Sequence, residues 1–249
     1  MSDADAGVGL SAAAVDPLRY DSHDLSSHEV GGIVLSHLPS GARVLDIGCG
    51  TGALATLMRD LGAAQVIGIE PHAVRAAAAR DRGLHVLERE FSPSVVEEYG
   101  RFDVVVLADV LEHLPDPAKL LLEVRTALAP EGIVLASVPN VAHWSVRRSL
   151  AGGRFEYEPF GIMDATHLRW FTRQTFGRLF ATTGFEVLDL VPTAGVALPV
   201  YGRERPWRWL TTYRRRQLLA RLLQISPTLF ACQFVAAARP VGQAPKADS

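Results

Sequence analysis

The segment Val44-Leu45-Asp46-Ile47-Gly48-Cys49-Gly50-Thr51-Gly52-Ala53 joins a short aliphatic run to three glycines at alternate positions, and a helical pattern follows directly. Glycines at such a turn let the chain reverse sharply and bring its backbone close to a ligand, with the partly positive start of a helix just beyond. Two carboxylates accompany the turn: Asp46, two residues before Gly48, and Glu70, 22 residues after it. Further acids and histidines gather near the ends of later apolar runs: Glu90 with Phe91, Asp109, Glu112 with His113, His143, and Asp164 with His167.

The glycine spacing also satisfies G-x-G-x-x-A, and with Glu70 on a ribose it would describe a dinucleotide site. Asp46 argues against that reading. A carboxylate at the carboxyl end of the strand sits badly beside a pyrophosphate, and well beside a ligand with positive charge and no phosphate. S-adenosylmethionine is such a ligand: it carries a sulfonium, an ammonium, a carboxylate and a nucleoside. Glu70 then accepts from both ribose hydroxyls, a charge-assisted contact worth roughly 1.5–3 kcal/mol. Glu90, with Phe91 beside it, is placed to reach the adenine edge.

VLDIGCGTGALA, then IGIEP, then FDVVVLADVLEHLPDP resemble class I SAM-dependent methyltransferases, in particular the broad methyltransferase-domain group of bacterial small-molecule and glycan enzymes. The resemblance runs from Leu35 to about Val138. It implies a Rossmann-like α/β fold: a seven-stranded, mostly parallel sheet of order 3-2-1-4-5-7-6, the last strand antiparallel, helices on both faces and an insertion after strand five. It also implies that Asp46, Gly48, Gly50 and Gly52 line the methionine end of the cofactor, that Glu70, followed by Pro71, holds the ribose, that Glu90 borders the adenine, and that Asp109 faces the cofactor cleft. Glu90 stands where an Asp is more usual. Cys49 contacts the cofactor through its backbone at most. Beyond Val138, PNVAHW, GRFEY and GIMDATHLRWFT resemble a narrower subgroup, whose acceptor the resemblance does not name.

Methyl transfer from a sulfonium is an in-line displacement, so alignment supplies most of the help. A base is useful when the acceptor is a hydroxyl, the case expected here. His113, His143 and His167 all lie on the side of the strands' carboxyl ends, and Asp164 is placed to orient His167. Asp109, Glu112 and His113 also match in spacing a carboxylate–carboxylate–His trio that resembles the ubiquinone-pathway O-methyltransferases and would suit Mg²⁺, but no metal is expected. Arg147, Arg148, Arg154, Arg169 and Arg173 flank the acceptor mouth, where they could clamp an anionic group. Two other classes stay open, a non-catalytic SAM- or partner-binding protein and an NAD-dependent oxidoreductase.

The elements that must position these groups alternate along the chain. Arg43–Ile47, Gln65–Ile69, Leu84–Glu90, Phe102–Ala108 and Ile133–Val138 are near-continuous apolar runs of strand length, as in strands buried on both faces. Helices are expected over Ala53–Leu61, from Pro71 to Gly83, and over Pro117–Leu128. Two more strands follow, Phe185–Val191 and Leu229–Ala237, the second after an Arg-rich helix, Trp209–Leu223. A single domain is expected over 17–239, with acceptor-side insertions at 141–183 and 193–227. Residues 1–16 and 240–249 are expected to be disordered.

At 249 residues and 48% hydrophobic the chain excludes collagen-like, coiled-coil and wholly disordered readings. Its two cysteines form no C-x-x-C pair, and a reducing cytoplasm is the expectation. No membrane span or leader is read. The net charge of -2 hides an asymmetry: residues 1–140 sum to -10 and residues 141–221 to +7. Arg203–Arg221 holds seven arginines with Trp207 and Trp209 among them, a composition suited to peripheral contact with an anionic membrane. One basic helix on a net-acidic chain is a weak footprint for nucleic acid, which is not expected as a partner.

Overall fold

The structure, a computed structural model, describes residues 25–242; the expectations for 1–16 and 243–249 lie outside the described residues. In chain order the elements are α1 (Val30–Ser36), β1 (Arg43–Ile47), α2 (Ala53–Asp60), β2 (Gln65–Ile69), α3 (Ala73–Asp81), β3 (His85–Leu87), α4 (Val95–Tyr99) and β4 (Phe102–Ala108). A 3₁₀ turn, Leu111–His113, leads to α5 (Pro117–Ala127), β5 (Leu128–Pro139), α6 (Trp144–Ala151), α7 (Arg173–Thr182) and β6 (Phe185–Pro192). The chain closes with α8 (Pro199–Arg203), a 3₁₀ turn at Trp207–Trp209, α9 (Thr212–Ile225), α10 (Pro227–Phe230) and β7 (Gln233–Pro240).

Seven strands form one sheet in the order β3-β2-β1-β4-β5-β7-β6, as the resemblance implies. β1 to β5 pair in parallel, and β7 runs antiparallel to both β5 and β6. Alternate residues supply two cores. Leu45, Ile67 and Val105 face the layer of α5, α7 and α9, whereas Val44, Val66 and Val104 face α1, α2 and α3. Strands buried on both faces explain the unbroken apolar runs. The chain turns from β2 on one side of β1 to β4 on the other, so a crevice opens at the carboxyl ends of β1 and β4. Ligands of open α/β sheets bind at such a point.

Three strand boundaries differ from the sequence expectation. β3 stops at Leu87, because beyond it the chain leaves β2 and no longer pairs. β5 begins at Leu128 and crosses a register shift near Pro130 and Gly132, where a proline can sit without losing a ladder bond. β7 starts at Gln233, because Pro227–Phe230 forms a short helical turn. Pro240, assigned to the tail from sequence, ends β7. The Arg-rich helix starts at Thr212, where the Thr211 side chain accepts from the Arg214 N–H; an N-cap of this kind stabilises a helix start by about 1 kcal/mol.

The two insertions pack together over the carboxyl end of the sheet. Asn140 is fully buried; its Nδ2 donates to the Thr228 and Ala231 carbonyls, and its Oδ1 accepts from the Ala142 N–H. Glu29 reaches from the start of α1 to accept from the N–H groups of Gly195 and Val196.

Candidate active site

At the end of β1 the N–H groups of Gly48 and Cys49 both donate to the Ile69 carbonyl, at 2.7 and 3.1 Å. Gly48 has φ +71, and a Cβ there would stand 2.7 Å from Val110 Cγ2. The glycine therefore lets the turn after β4 close against the turn after β1. Gly50, at φ +57, has nothing within 4 Å of the place where a Cβ would be, so its bare face borders open space. Gly52, at φ +79, is the residue immediately before α2.

Glu70 is buried, and its carboxylate pins this turn: Oε2 accepts from the Gly50 N–H at 3.0 Å and Oε1 from the His72 N–H at 2.9 Å. Each oxygen keeps a second lone pair, so the ribose contact expected of Glu70 stays compatible with this geometry. Pro71 lies between these two anchored positions. Asp46 is 2% exposed, and its Oδ2 has no hydrogen-bond partner among the described residues. Burial, and then the charge of Glu70, push its carboxyl up to about 7. A buried acid without a partner suits a cationic ligand, whose charge would restore the carboxylate. The Thr51 hydroxyl is likewise buried and unpartnered. These features fit the methionine end of S-adenosylmethionine. Burial holds the Cys49 thiol far above its usual range, which makes it inert and agrees with a backbone-only role. Glu90 is exposed, three residues beyond the end of β3, and Phe91 packs against the core.

The end of β4 carries the second group. Asp109 is a non-glycine residue at φ +55, a conformation held only when surroundings enforce it. Here they do: its N–H donates to Ser137 Oγ, and its Oδ1 accepts from Ser137 Oγ and Gln233 Nε2, each at 2.7 Å. One turn on, the Glu112 carbonyl accepts from the N–H groups of Leu168 and Arg169, which docks the first insertion on this turn. His113 Nδ1 then donates to the Thr166 carbonyl at 3.1 Å, and His167 Nδ1 to the Ile162 carbonyl at 3.2 Å. Carbonyls only accept, so each ring carries a proton on Nδ1, and Nε2 is the nitrogen outside these bonds.

The two rings meet edge-to-face at 4.9 Å. One ligating atom from each of Glu112, His113 and His167 lies within 4.8 Å of the others. Glu112 is 1% exposed, and neither carboxylate oxygen has a partner among the described residues. Burial, with the charges of Asp109 and Asp164, raises its carboxyl well above the ordinary range. Burial and then His113 lower His167, so His167 is neutral at neutral pH and able to take a proton.

One expectation is corrected by this geometry. His143 has no exposure, and its ring nitrogens are engaged by Ser145 Oγ at 2.8 Å and Tyr201 Oη at 3.0 Å; both nitrogens being used, it ties α6 to α8 rather than serving an acceptor. Asp164 Oδ1 accepts from the N–H and hydroxyl of Thr166, its charge acts on His167, and the Ile162 carbonyl accepts from the His167 Nδ1–H. The candidate cation ligands are Glu112, His113 and His167, not the set containing Asp109, whose Oδ1 is occupied. The arginine clamp is also largely spent. Arg147 donates to Ala142, Arg148 pairs with Glu204, and Arg169 donates to Pro115. Ser137 and Gln233 are site residues that the sequence reading does not single out. A serine near the end of an otherwise apolar strand was the available signal.

The switch-point crevice, the glycine turn with its two acids and the β4 end define a cofactor-binding domain of the class I methyltransferase kind. Residues 28–190 match the family model described as "Methyltransferase domain", more than half of the chain, and the chain belongs to that family. A ubiquinone biosynthesis O-methyltransferase of Rhodopseudomonas palustris (strain BisB5) is 37% identical over 123 residues, covering 47% of each chain. A protein of the same name from Burkholderia pseudomallei (strain 1710b) is 32% identical over 180 residues, covering 68% of this chain and 75% of its own. The match spans about half the length of the first of these relatives. An S-adenosylmethionine-dependent methyltransferase structure from Mesorhizobium loti shares the fold at 17% identity with a TM-score of 0.52, over 84% of this chain and 96% of its own. A SAM-dependent methyltransferase structure from Archaeoglobus fulgidus does so at 16% and 0.55, over 84% and 93%.

Proposed function

We propose that the protein methylates a hydroxyl oxygen of a small organic acceptor, with His167 as the base. The observation that carries this is the pairing of His113, on the turn that packs against Gly48, with His167 from the first insertion, each ring held through Nδ1 by a backbone carbonyl. Bound S-adenosylmethionine would supply the methyl group, its carbon–sulfur bond breaking as the acceptor oxygen takes the methyl carbon, and His167 Nε2 would take the hydroxyl proton. The names of the two relatives, both O-methyltransferases, support attack by oxygen. Asp46 meets the positive end of the cofactor, Glu70 the ribose, and the rigid Asp109 corner holds the cleft wall.

The grouping of Glu112, His113 and His167 favours a second reading, in which these side chains hold a hard divalent cation that acidifies the acceptor hydroxyl. The test is calorimetric titration with S-adenosylhomocysteine and NAD⁺, then turnover on phenolic, catecholic and sugar hydroxyls with and without chelator. Micromolar binding of the first ligand and chelator-resistant turnover support the His-base reading. Turnover lost on chelation and restored by Mg²⁺ supports the cation. Binding without turnover on any acceptor would leave a SAM-binding module.

A further inference from the structure

We propose that the segment 203–225 forms a basic, aromatic face that docks the enzyme on an anionic phospholipid bilayer. The connection between β6 and β7, residues 193–227, holds seven arginines and one acid, Glu204. α9 buries Leu219 and Leu223 against the core. Arg214, Leu218, Arg221 and Ile225 follow at spacings of four, three and four, which puts them on one stripe of the helix. That stripe is exposed, with Ile225 at 77%, and Tyr213 beside it stands 70% exposed.

Trp209, in the turn just before α9, is 64% exposed, with the Arg205 guanidinium 4.9 Å from its ring centroid. Among the described residues no carboxylate pairs with Arg203, Arg205, Arg208, Arg214 or Arg221. Pairing among the described residues therefore does not explain the charge. The scaffold beneath is firm: Trp207 is buried and stacks on Trp144 at 6.1 Å, and Arg215 donates to the Val196 and Trp207 carbonyls.

Exposed Trp, Tyr and Ile set among unpaired cations fit the headgroup layer, where the ring and aliphatic groups leave water and the arginines meet lipid phosphate. No helix among the described residues is long and apolar enough to cross a membrane, so the contact is peripheral. The face also adjoins the first insertion. Arg203 and Glu204 line a cavity of about 170 Å³ together with Leu150, Phe155 and Ile162.

The test is flotation of the full-length chain with vesicles of equal parts phosphatidylglycerol and phosphatidylcholine, and with phosphatidylcholine alone. Binding to the first at low salt, about tenfold or more above the second and lost at high salt, is expected. Each arginine near the surface contributes about fivefold, so the R214E/R221E double variant should bind at least about tenfold more weakly, and Trp209→Ala a few-fold more weakly. Both should keep wild-type affinity for S-adenosylhomocysteine, which reports an intact fold. Equal flotation with both vesicles, none with either, or a double variant that floats like wild type would overturn the proposal. So would binding of a single-stranded oligonucleotide through the same arginines by a protein that ignores vesicles.

Discussion

The cofactor region, residues 43–113, and the acceptor-side insertions, 141–227, hold their polar groups in different ways. In the first, partners sit at the ends of neighbouring strands: Gly48 on Ile69, and Glu70 on Gly50 20 positions away. In the second, alongside local bonds such as His167 to Ile162 and Asp164 to Thr166, the anchoring contacts cross to distant segments, including those made at its borders by His113 and Asn140. His143 reaches Tyr201 58 positions on, His113 reaches Thr166 across 53, and Asn140 reaches Ala231 across 91. Parallel-strand register sets the first group, so a short motif carries it. Docking of loops onto the sheet sets the second, and a single lost contact there can release a whole segment.

The sharpest separation of the two regions is His167→Ala. Turnover should fall by roughly 10²-fold or more, with S-adenosylhomocysteine affinity unchanged by calorimetry; a parallel loss of cofactor affinity would mean that the regions act as one. Next in size, His143→Ala removes a buried ring and its bonds to Ser145 and Tyr201, and should lower unfolding free energy by about 2–4 kcal/mol in urea titration. If stability holds and turnover collapses instead, His143 returns to the site. Glu70→Ala should weaken S-adenosylhomocysteine binding by roughly ten- to a hundredfold, because the ribose contact and the anchor of Gly50 go together. Unchanged affinity would remove the ribose contact from the cofactor pose.

The smallest effect is one of pH, and it has opposite signs in the two regions. Burial raises Asp46 to about 7, so the folded chain holds a proton that the unfolded chain releases near 4. Its contribution is present at low pH and lost as pH climbs toward 7. Burial lowers His143 to about 4, so its contribution is present above pH 6.5 and lost as pH falls toward 4. Asp46→Asn should therefore gain on wild type as pH rises from 5 to 7, by up to about 1.4 kcal/mol per unit. His143→Phe should close its deficit as pH falls over the same range. Thermal melts across pH check both, and profiles parallel to wild type would mean that neither group titrates as its burial requires.

Much of the cofactor region was legible because its signals are local. Three glycines at a strand end, Asp46 before them and Glu70 at the next strand end each name a conformation or a charge that chemistry demands. β3 was over-read because its apolar run continues to Glu90 while its pairing partner ends. The role of Glu112 was hidden for a different reason. Its carbonyl docks the insertion and its carboxyl faces two histidines, and neither fact exists until residues 166–169 fold back onto the turn. His143 and His167 look alike in sequence, each a histidine in a polar stretch beyond β5, and only packing separates them.

The sequence by itself determined the glycine turn, the acids at the ends of β1 and β2, the alternation of strands and helices and, through its resemblance, the strand order. These follow from backbone sterics, burial on two faces and the charge of the ligand, which act over a few residues or recur along the chain. The tertiary structure decided which histidine is left with an unused ring nitrogen, which carboxylate is buried without a partner, and which arginines face outward. Those properties depend on what a side chain meets 50 to 90 positions away, and no local pattern encodes that meeting.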